Sequence, residues 1–225
     1  MILGMLGLGV AGVIGGAAVQ RRLSDVLAPI AAADRTGLTG LIPAAGGFRI
    51  YSVTGDLPQR SEAAYRLHVS GLVRDPLSLT FSDLEALPAT MLTKDFQCVT
   101  GWRVPDVHWV GVRVADLLDR ADVSDSAKAV TFRSFDGVYT ESLTLEQARR
   151  QDVIVAYRMA GKTVTTAHGG PVRLYVAPMY GYKSLKWLES IEVVDRVVPG
   201  YWERRGYDID AFVGRSNGRG DDPTS

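Results

Sequence analysis

A glycine-rich turn leads directly into a predicted strand at residues 168–176, whose sequence is HGGPVRLYV. The two glycines allow the backbone to approach a ligand closely, and Pro171 fixes the entry into the strand. Because side chains alternate along a strand, the two valines that flank Arg173 face one way and Arg173 faces the other. An arginine in this place suits bidentate contact with an anion. These residues alone leave open the alternative of a surface arginine beside the turn histidine, His168.

Strands and short helices are mixed on both sides of this turn. The spacing of apolar residues predicts strands, a hairpin turned at Asp136-Gly137 and three short helices. The strands cover 65–70, 91–99, 130–143 (the hairpin), 153–157, 172–176 and 190–194; the helices begin at a Ser82-Asp-Leu-Glu85 capping-box pattern, at Val114 and at Thr144, which is capped with Gln147. The order lacks regular βαβ alternation, so we expect an α+β fold with mixed sheets and short helices.

Composition excludes several classes of protein. The 225 residues include 25 Lys and Arg against 25 Asp and Glu, and 46% of them are hydrophobic. A net charge of zero gives no basic footprint for nucleic acid, while the hydrophobic fraction is that of a globular domain. The single cysteine rules out an internal disulfide and a cysteine-rich zinc site.

The chain divides into four predicted segments. Residues 1–22 are expected to be the apolar core of an export signal or a membrane anchor, since residues 1–19 carry no charge and a basic pair, Arg21-Arg22, follows them. An Ala/Gly-rich tether over 23–47 then leads to a domain over 48–213, and a polar, Gly-rich flexible tail covers 214–225.

Cys98 ends a predicted strand in Asp95-Phe-Gln-Cys-Val-Thr-Gly-Trp102. A lone cysteine can be a small buried apolar residue, a thiolate nucleophile or a soft ligand for a transition metal. A hydrolase would pair it with His168 as the base. The residues alone keep all three interpretations open.

A third candidate site is the turn Tyr180-Gly-Tyr-Lys-Ser-Leu-Lys-Trp187. Lys183, Ser184 and Lys186 could gather a phosphate through ammonium, hydroxyl and backbone N–H groups. Solvated lysines on an exposed turn are the alternative. His108 could line a cleft or fill a loop.

Taken together and in this order, the three segments around Cys98, His168 and Lys183 to Trp187 resemble the molybdopterin-binding domain of the sulfite oxidase family. Within that family they are most similar to the bacterial branch that includes the periplasmic methionine sulfoxide reductase catalytic subunit. The resemblance covers most of residues 48–195.

The resemblance implies one molybdenum-molybdopterin cofactor per chain, with Cys98 as the thiolate ligand of molybdenum beside oxygens and the two dithiolene sulfurs. A soft anionic sulfur suits such a metal. The cofactor-binding residues that it implies are Tyr51, Ser134, Asp136, His168, Arg173, Lys183, Ser184 and Lys186; Thr100 and Trp102 are expected to line the substrate funnel beside Cys98, with Tyr182 and His108 as lesser candidates.

The sequence departs from the eukaryotic sulfite oxidases at two places. Tyr51-Ser-Val-Thr-Gly55 stands where they have an Arg-Asn-His stretch that supplies a substrate arginine, and Gly101-Trp102 replaces their Asn-Arg pair. His168, by contrast, agrees with the sulfite oxidases where the bacterial reductase has asparagine. We therefore expect a reductase of an S-oxide or N-oxide, with a sulfite-oxidising enzyme, a cysteine-dependent hydrolase and a non-catalytic extracytoplasmic binding domain as alternatives.

The resemblance also implies partners and a location. The chain has no Cys-x-x-Cys-His pattern for covalent haem, so electrons would pass to or from a separate partner, with a membrane haem protein as one candidate. Export through the twin-arginine route implies an extracytoplasmic domain, associated with the membrane through residues 1–19. Arg21 and Arg22 instead favour a cytoplasmic domain if that segment is a simple anchor.

Overall fold

Two five-stranded sheets form the framework of residues 47–224, the part of the chain that the computed structural model describes. The first sheet has the order β2-β1-β10-β5-β6; the second has the order β3-β4-β7-β8, with β9 also paired to β7. The strands are β1 Arg66–Gly71, β2 Leu77–Thr80, β3 Thr90–Gln97, β4 Arg103–Arg113, β5 Ala129–Ser134, β6 Thr140–Thr144, β7 Val153–Met159, β8 Lys162–Thr163, β9 Arg173–Val176 and β10 Leu188–Val194. The α-helices are Phe81–Ala86, Val114–Arg120 and Leu145–Ala148, and 3₁₀ turns cover Thr166–His168 and Glu203–Arg205. The predicted α+β class is confirmed.

The first sheet is mixed because one pair of neighbouring strands in it is parallel. β1 pairs with β10 in parallel register, Val69 opposite Ile191, whereas β1 with β2 and β10 with β5 are antiparallel. Alternation in β1 buries Leu67 and Val69 and exposes His68, as its sequence predicts. The strand that follows the third candidate segment, β10, therefore lies in the middle of this sheet.

The predicted hairpin between β5 and β6 is present, with Val130 opposite Leu143. One carboxylate oxygen of Asp136 accepts hydrogen bonds from the backbone N–H groups of Val138 and Tyr139, both at 2.8 Å. Gly137 has φ of +77°, a backbone conformation that glycine adopts without strain. The Asp-Gly pair thus forms the turn as expected.

The first helix is capped two residues earlier than its sequence suggested. Thr80, not Ser82, caps it: the Thr80 hydroxyl accepts from the Asp83 N–H at 3.0 Å, and the Asp83 carboxylate accepts from the Thr80 N–H at 2.8 Å. Thr80 ends strand β2, which the sequence analysis did not predict, and its extended backbone makes it the cap.

Strand β4 was also missed between the second predicted strand and the helix at Val114. Pro105 and Asp106 interrupt its alternation, and only its second half shows buried residues such as Val107 and Trp109. The second half pairs with β7 across a bulge at Gly111. A Cβ on Gly111 would lie 2.2 Å from the Val155 carbonyl oxygen, so glycine is required where the two strands meet.

The described chain separates into two units, which we treat individually. The larger covers 50–96 and 105–224 and contains the hydrophobic cores of both sheets; the smaller covers 47–49 and 97–104. Most of the predicted cofactor residues lie in the larger unit. Cys98 and its neighbours lie in the smaller one.

The C-terminal segment 214–224 differs from the predicted flexible tail. Tyr180 donates to the Asp221 carboxylate at 2.9 Å, and the Thr224 hydroxyl donates to the Ala177 carbonyl at 2.9 Å. Arg219 also pairs with Asp221, at 2.6 Å. The polar composition that suggested a tail therefore serves side-chain contacts with the turn that follows β9.

The apolar segment 1–19 and nearly all of the predicted tether lie outside the described residues. No helix within 47–224 is both long enough and apolar enough to cross a membrane.

We predict that Thr144→Ala destabilises the folded protein by about 1 kcal/mol, since it removes a helix cap. The Thr144 hydroxyl accepts from the Gln147 N–H at 3.1 Å, and the Gln147 side chain accepts from the Thr144 N–H at 3.0 Å. Urea unfolding measures the change. Thr144→Ser keeps the hydroxyl and should stay close to the wild type; equal losses in both variants would contradict this role for the hydroxyl.

Candidate functional site

A buried arginine on β9 is the centre of the candidate site in the larger unit. Arg173 lies opposite Ala156 of β7 and is only 3% exposed. Its guanidinium donates to the carbonyl oxygens of His168 and Ser184, both at 2.7 Å. One side chain thus holds the turn before β9 to the turn after it.

Aromatic rings surround the same guanidinium. The Arg173 Cζ atom lies 5.4 Å from the Phe96 ring centroid and 5.5 Å from that of Trp109, and Trp109 stacks on Tyr175 at 4.2 Å. Burial deprives the guanidinium of water, which lowers the pKa of Arg173 to about 10. The cation is therefore held in an apolar setting by carbonyls and ring faces.

Two more basic side chains share this region. The Lys186 ammonium donates to the Tyr51 carbonyl and lies 4.5 Å from the Trp187 ring centroid. Burial and the nearby charge of Arg173 lower the pKa of Lys186 to about 8. Burial, Arg173 and Lys186 likewise lower the pKa of His168.

We refer to His168, Arg173 and Lys186 together as the cluster. Within residues 47–224 no Asp or Glu forms an ion pair with Arg173 or Lys186. The positively charged form of each group is disfavoured because the other basic groups are close and because burial partly excludes water. A bound anion would relieve this repulsion, so the cluster fits a phosphate-bearing cofactor.

The glycines before β9 serve a contact within the protein. Gly169 has φ of +99°, and a Cβ there would lie 2.6 Å from the Lys186 Cβ. A Cβ on Gly170 would lie 1.8 Å from the Val164 carbonyl oxygen. The close approach that the sequence suggested for a ligand is thus made to Lys186 and Val164.

Lys183 does not join the cluster. Its ammonium is fully buried and lies between the carboxylates of Glu141 on β6 and Glu203 in the C-terminal 3₁₀ turn. Its assignment to a cofactor phosphate stays a prediction, and the structure gives it three protein partners instead.

Ser184 and Tyr182 from the same turn also use their polar atoms internally. The Ser184 hydroxyl accepts from the Val176 N–H at 3.0 Å. The Tyr182 hydroxyl donates to the Asp208 carbonyl at 2.6 Å and accepts from the Asn217 side chain at 3.1 Å. Of the residues in the turn 180–187, only Lys186 contributes its charged group to the cluster.

Ser134 and Asp136 lie at the turn of the β5–β6 hairpin. The Ser134 hydroxyl accepts from the Asp136 N–H at 3.1 Å. The second carboxylate oxygen of Asp136 is buried and has no hydrogen-bond partner among the described residues. The charge of Asp136 raises the pKa of Lys186, but burial and the charge of Arg173 lower it by more. This carboxylate therefore partly offsets the positive charge at Lys186 without forming an ion pair with it.

The smaller unit presents Cys98 on a tight turn. The Cys98 N–H donates to the Trp102 carbonyl at 2.9 Å, and the Gly101 N–H donates back to the Cys98 carbonyl at 3.0 Å. The sulfur is partly exposed and lies 3.2 Å from the Thr100 hydroxyl. Trp102 is buried and meets Phe48 edge to face at 6.1 Å. Strand β3 ends at Gln97, so Cys98 follows the strand directly, whereas the predicted strand ran on to residue 99.

Two other candidates, Tyr51 and His108, have exposed side chains. The Tyr51 side chain is 55% exposed, and its carbonyl, not its ring, contacts Lys186. His108 is exposed on β4, with Nδ1 2.9 Å from the Thr93 hydroxyl. Among the described residues, no group of three His, Cys, Asp or Glu side chains could hold a metal ion. Cys98 offers one soft donor, which fits a metal whose other ligands come from a cofactor.

Sequence reasoning missed Glu141 and Glu203. Glu141 lies between the polar residues Thr140 and Ser142 on β6, so nothing in its local sequence marks it as buried. Glu203 begins the short 3₁₀ turn Glu203–Arg205, and its local sequence likewise does not mark it as buried.

The fold and the cluster together agree with comparisons to known proteins. The family described as oxidoreductase molybdopterin binding domain matches residues 54–202. The chain belongs to this family, and it is an oxidoreductase by that membership. The cysteine-dependent hydrolase and the non-catalytic binding domain are thereby disfavoured.

Three relatives and one solved structure show the range of the family. The chain is 37% identical to the uncharacterized oxidoreductase YuiH of Bacillus subtilis over 68% of this chain and 78% of the relative. It is 30% identical to the sulfite oxidase of Arabidopsis thaliana, over 64% of this chain and 45% of that one. It is also 30% identical to the protein-methionine-sulfoxide reductase catalytic subunit MsrP of Gluconobacter oxydans, over 71% and 56%. The crystal structure of the sulfane dehydrogenase SoxCD from Paracoccus pantotrophus matches with a TM-score of 0.57 and 26% identity, over 63% of this chain and 41% of that one.

We predict that Lys186→Met stabilises the cofactor-free protein at pH 7. Lys186 has a pKa of about 8 in the folded chain and an ordinary value of 10.5. Below pH 8 both states hold the proton, and the folded state carries the full cost of the buried charge. Between pH 8 and 10.5 the unfolded chain binds more protons, so wild-type stability should rise with pH. The free energy of unfolding of Lys186→Met should lack this rise, so that the variant is no longer more stable than the wild type by about pH 10.5.

Denaturant unfolding between pH 7 and 10.5 measures this difference. Lys128→Met, which removes an exposed lysine, controls for the loss of one charge. A Lys186→Met protein that is less stable than the wild type at pH 7 would show that the ammonium contact with Tyr51 outweighs the repulsion.

Proposed function

We propose that this protein is a molybdenum-dependent enzyme that removes an oxygen atom from a small S-oxide or N-oxide in a two-electron reaction. The observation that carries the proposal is the pair of buried cations Arg173 and Lys186 beside His168; neither cation forms an ion pair with a carboxylate among residues 47–224. In a molybdopterin-binding family, this is the property expected of the residues that receive the cofactor's phosphate.

Each residue of the proposed site has a distinct task. The bound cofactor would supply the oxygen-atom transfer chemistry. Cys98 would provide the protein's sulfur ligand from its rigid turn, and the Thr100 hydroxyl would donate a hydrogen bond to that sulfur. Arg173 and Lys186 would neutralise the phosphate, while His168 would contact the pterin.

The direction of the reaction is inferred from the residues that differ from the sulfite oxidases. Sulfite is an anion, and the substrate arginine that the eukaryotic enzymes use falls in a stretch that here reads Tyr51-Ser-Val-Thr-Gly55. A neutral S-oxide or N-oxide does not need that cation. Similarity to MsrP, a protein named as a methionine sulfoxide reductase catalytic subunit, agrees with this choice.

Sulfite oxidation is the second candidate. It is favoured by His168, which agrees with the sulfite oxidases, and by the similarity to the Arabidopsis enzyme. A separate electron-transfer partner and an extracytoplasmic location, associated with the membrane through residues 1–19, complete the proposal.

We predict that the protein purified from a host that makes molybdopterin contains close to one molybdenum per chain, and that Cys98→Ser loses most of its activity. Elemental analysis and the fluorescent oxidation product of the pterin measure the cofactor. Reduction of methionine sulfoxide and of trimethylamine N-oxide with reduced viologen, and oxidation of sulfite with ferricyanide, measure the direction.

The outcomes separate the candidates. Viologen oxidation that depends on an S-oxide or N-oxide supports the reductase, whereas ferricyanide reduction by sulfite alone supports the oxidase. Wild-type protein without molybdenum, or Cys98→Ser with undiminished activity, would overturn the proposal. Thr93→Val, on the surface of β3, is a control that should keep both metal and activity.

A further inference from the structure

Lys183 lies in the turn that the sequence suggested for phosphate binding, yet its ammonium points into the protein. We propose that Lys183 is a positioning residue that, with Glu141 and Glu203, fixes the turn carrying Ser184 and Lys186 and so sets the anion-binding cluster. This inference rests on the proposed function, because it concerns how the same site is held.

The ammonium of Lys183 has three protein partners and no exposed surface. It donates to the Ser142 carbonyl at 2.7 Å, lies 3.1 Å from the Glu141 carboxylate and bonds the Glu203 carboxylate. Of its three N–H donors, two make these hydrogen bonds, while Glu141 contributes an ion pair in which its Oε2 forms no hydrogen bond. Because the ammonium is also fully buried, it does not reach a phosphate while this buried trio, Glu141, Lys183 and Glu203, is intact.

The trio also balances its own charge. Burial, together with the charge of Glu203, raises the pKa of Glu141 to about 8 in spite of Lys183. Two carboxyl groups lie within reach of the one ammonium, so the chain itself supplies the groups that compensate this cation. The second oxygen of Glu203 accepts from the Gly200 N–H at 2.6 Å. Arg173 and Lys186, in contrast, form no ion pair with a carboxylate among the described residues.

The backbone next to Lys183 carries the effect of the trio to the cluster. The Ser184 carbonyl accepts from the Arg173 guanidinium, and the Leu185 carbonyl accepts from the Leu174 N–H at 2.8 Å. The next residue is Lys186. Anchoring the Lys183 side chain on β6 and on the C-terminal 3₁₀ turn therefore restrains the carbonyl that orients Arg173 and the residue that supplies the second cation.

Glu203 gives the decisive test because a carboxylate cannot itself bind phosphate. If Lys183 acts through the trio, Glu203→Gln should weaken anion binding roughly tenfold, in parallel with Lys183→Met. If Lys183 instead turns to contact the phosphate, Glu203→Gln removes a competing negative charge and should leave binding unchanged or stronger. The two roles predict opposite signs for one substitution.

The measurement uses the full chain in two states. Calorimetry with inorganic phosphate on cofactor-free protein gives the affinity of the cluster, and molybdenum per chain after prolonged dialysis gives cofactor retention. Lys186→Met should weaken both as a direct-contact reference. Leu84→Ala, on the helix Phe81–Ala86, removes a fully buried side chain from the core and controls for a general loss of stability, with melting temperatures compared.

Parallel losses in Lys183→Met and Glu203→Gln, with phosphate affinity and molybdenum retained in Leu84→Ala, are the expected result. The replacement of all three trio members by apolar residues (Glu141→Leu, Lys183→Met, Glu203→Leu) should recover much of the affinity if it folds, since a satisfied apolar core can replace a buried ion pair. Undiminished affinity in Glu203→Gln would overturn the inference, and this holds even if Lys183→Met fails to fold. Wild-type protein that binds phosphate but never molybdenum would refute the proposed function and leave the positioning role to be decided by the phosphate data.

Discussion

The burial of the Arg173 guanidinium between two backbone carbonyls is the interaction on which the candidate site depends. It joins the turn at His168 to the turn at Ser184, and so brings the second and third segments singled out in the sequence to one place. Carbonyl oxygens orient a guanidinium but do not neutralise it, and Arg173 has no carboxylate partner among residues 47–224. The fold therefore supports a charge whose natural complement is a ligand anion. This is why the site should gain both stability and order when a phosphate binds.

The strands around this arginine could be predicted because their signals are local. Alternation in β1, the Asp136-Gly137 turn and the Thr144 cap each depend on a few neighbouring residues, and all three are present as expected. Strand β4 was missed for the opposite reason. Its first half is exposed and contains Pro105, so it shows alternation only where it meets β7, and that pairing lies more than 40 residues away in the sequence.

In the candidate site, too, some features depend on nearby residues and others on residues far away in the sequence. The position of Cys98 after a strand and the orientation of Arg173 follow from local pattern, whereas the roles of the two lysines do not. Lys183 and Lys186 look equivalent in the sequence, since both lie in one turn. What separates them is the presence of Glu141 and Glu203, which come from 42 residues earlier and 20 residues later in the chain. No rule that considers only the turn could have identified which lysine is neutralised within the protein.

The two lysines represent opposite solutions to the cost of burying a charge. An ammonium in the interior needs a compensating anion or must give up its proton. Lys183 is paired with carboxylates of the chain itself, so its charge is compensated whether or not a ligand is bound. Lys186 is not paired in this way, and its lowered pKa records the cost. Glycine at position 169 leaves room for the Lys186 side chain, which a Cβ there would meet. Trp187 has φ of +54°, a backbone conformation that is strained for a residue with a Cβ. A lysine at position 186 that forms no ion pair within residues 47–224, three residues from a lysine that is paired within the protein, is what a site built for an external anion requires.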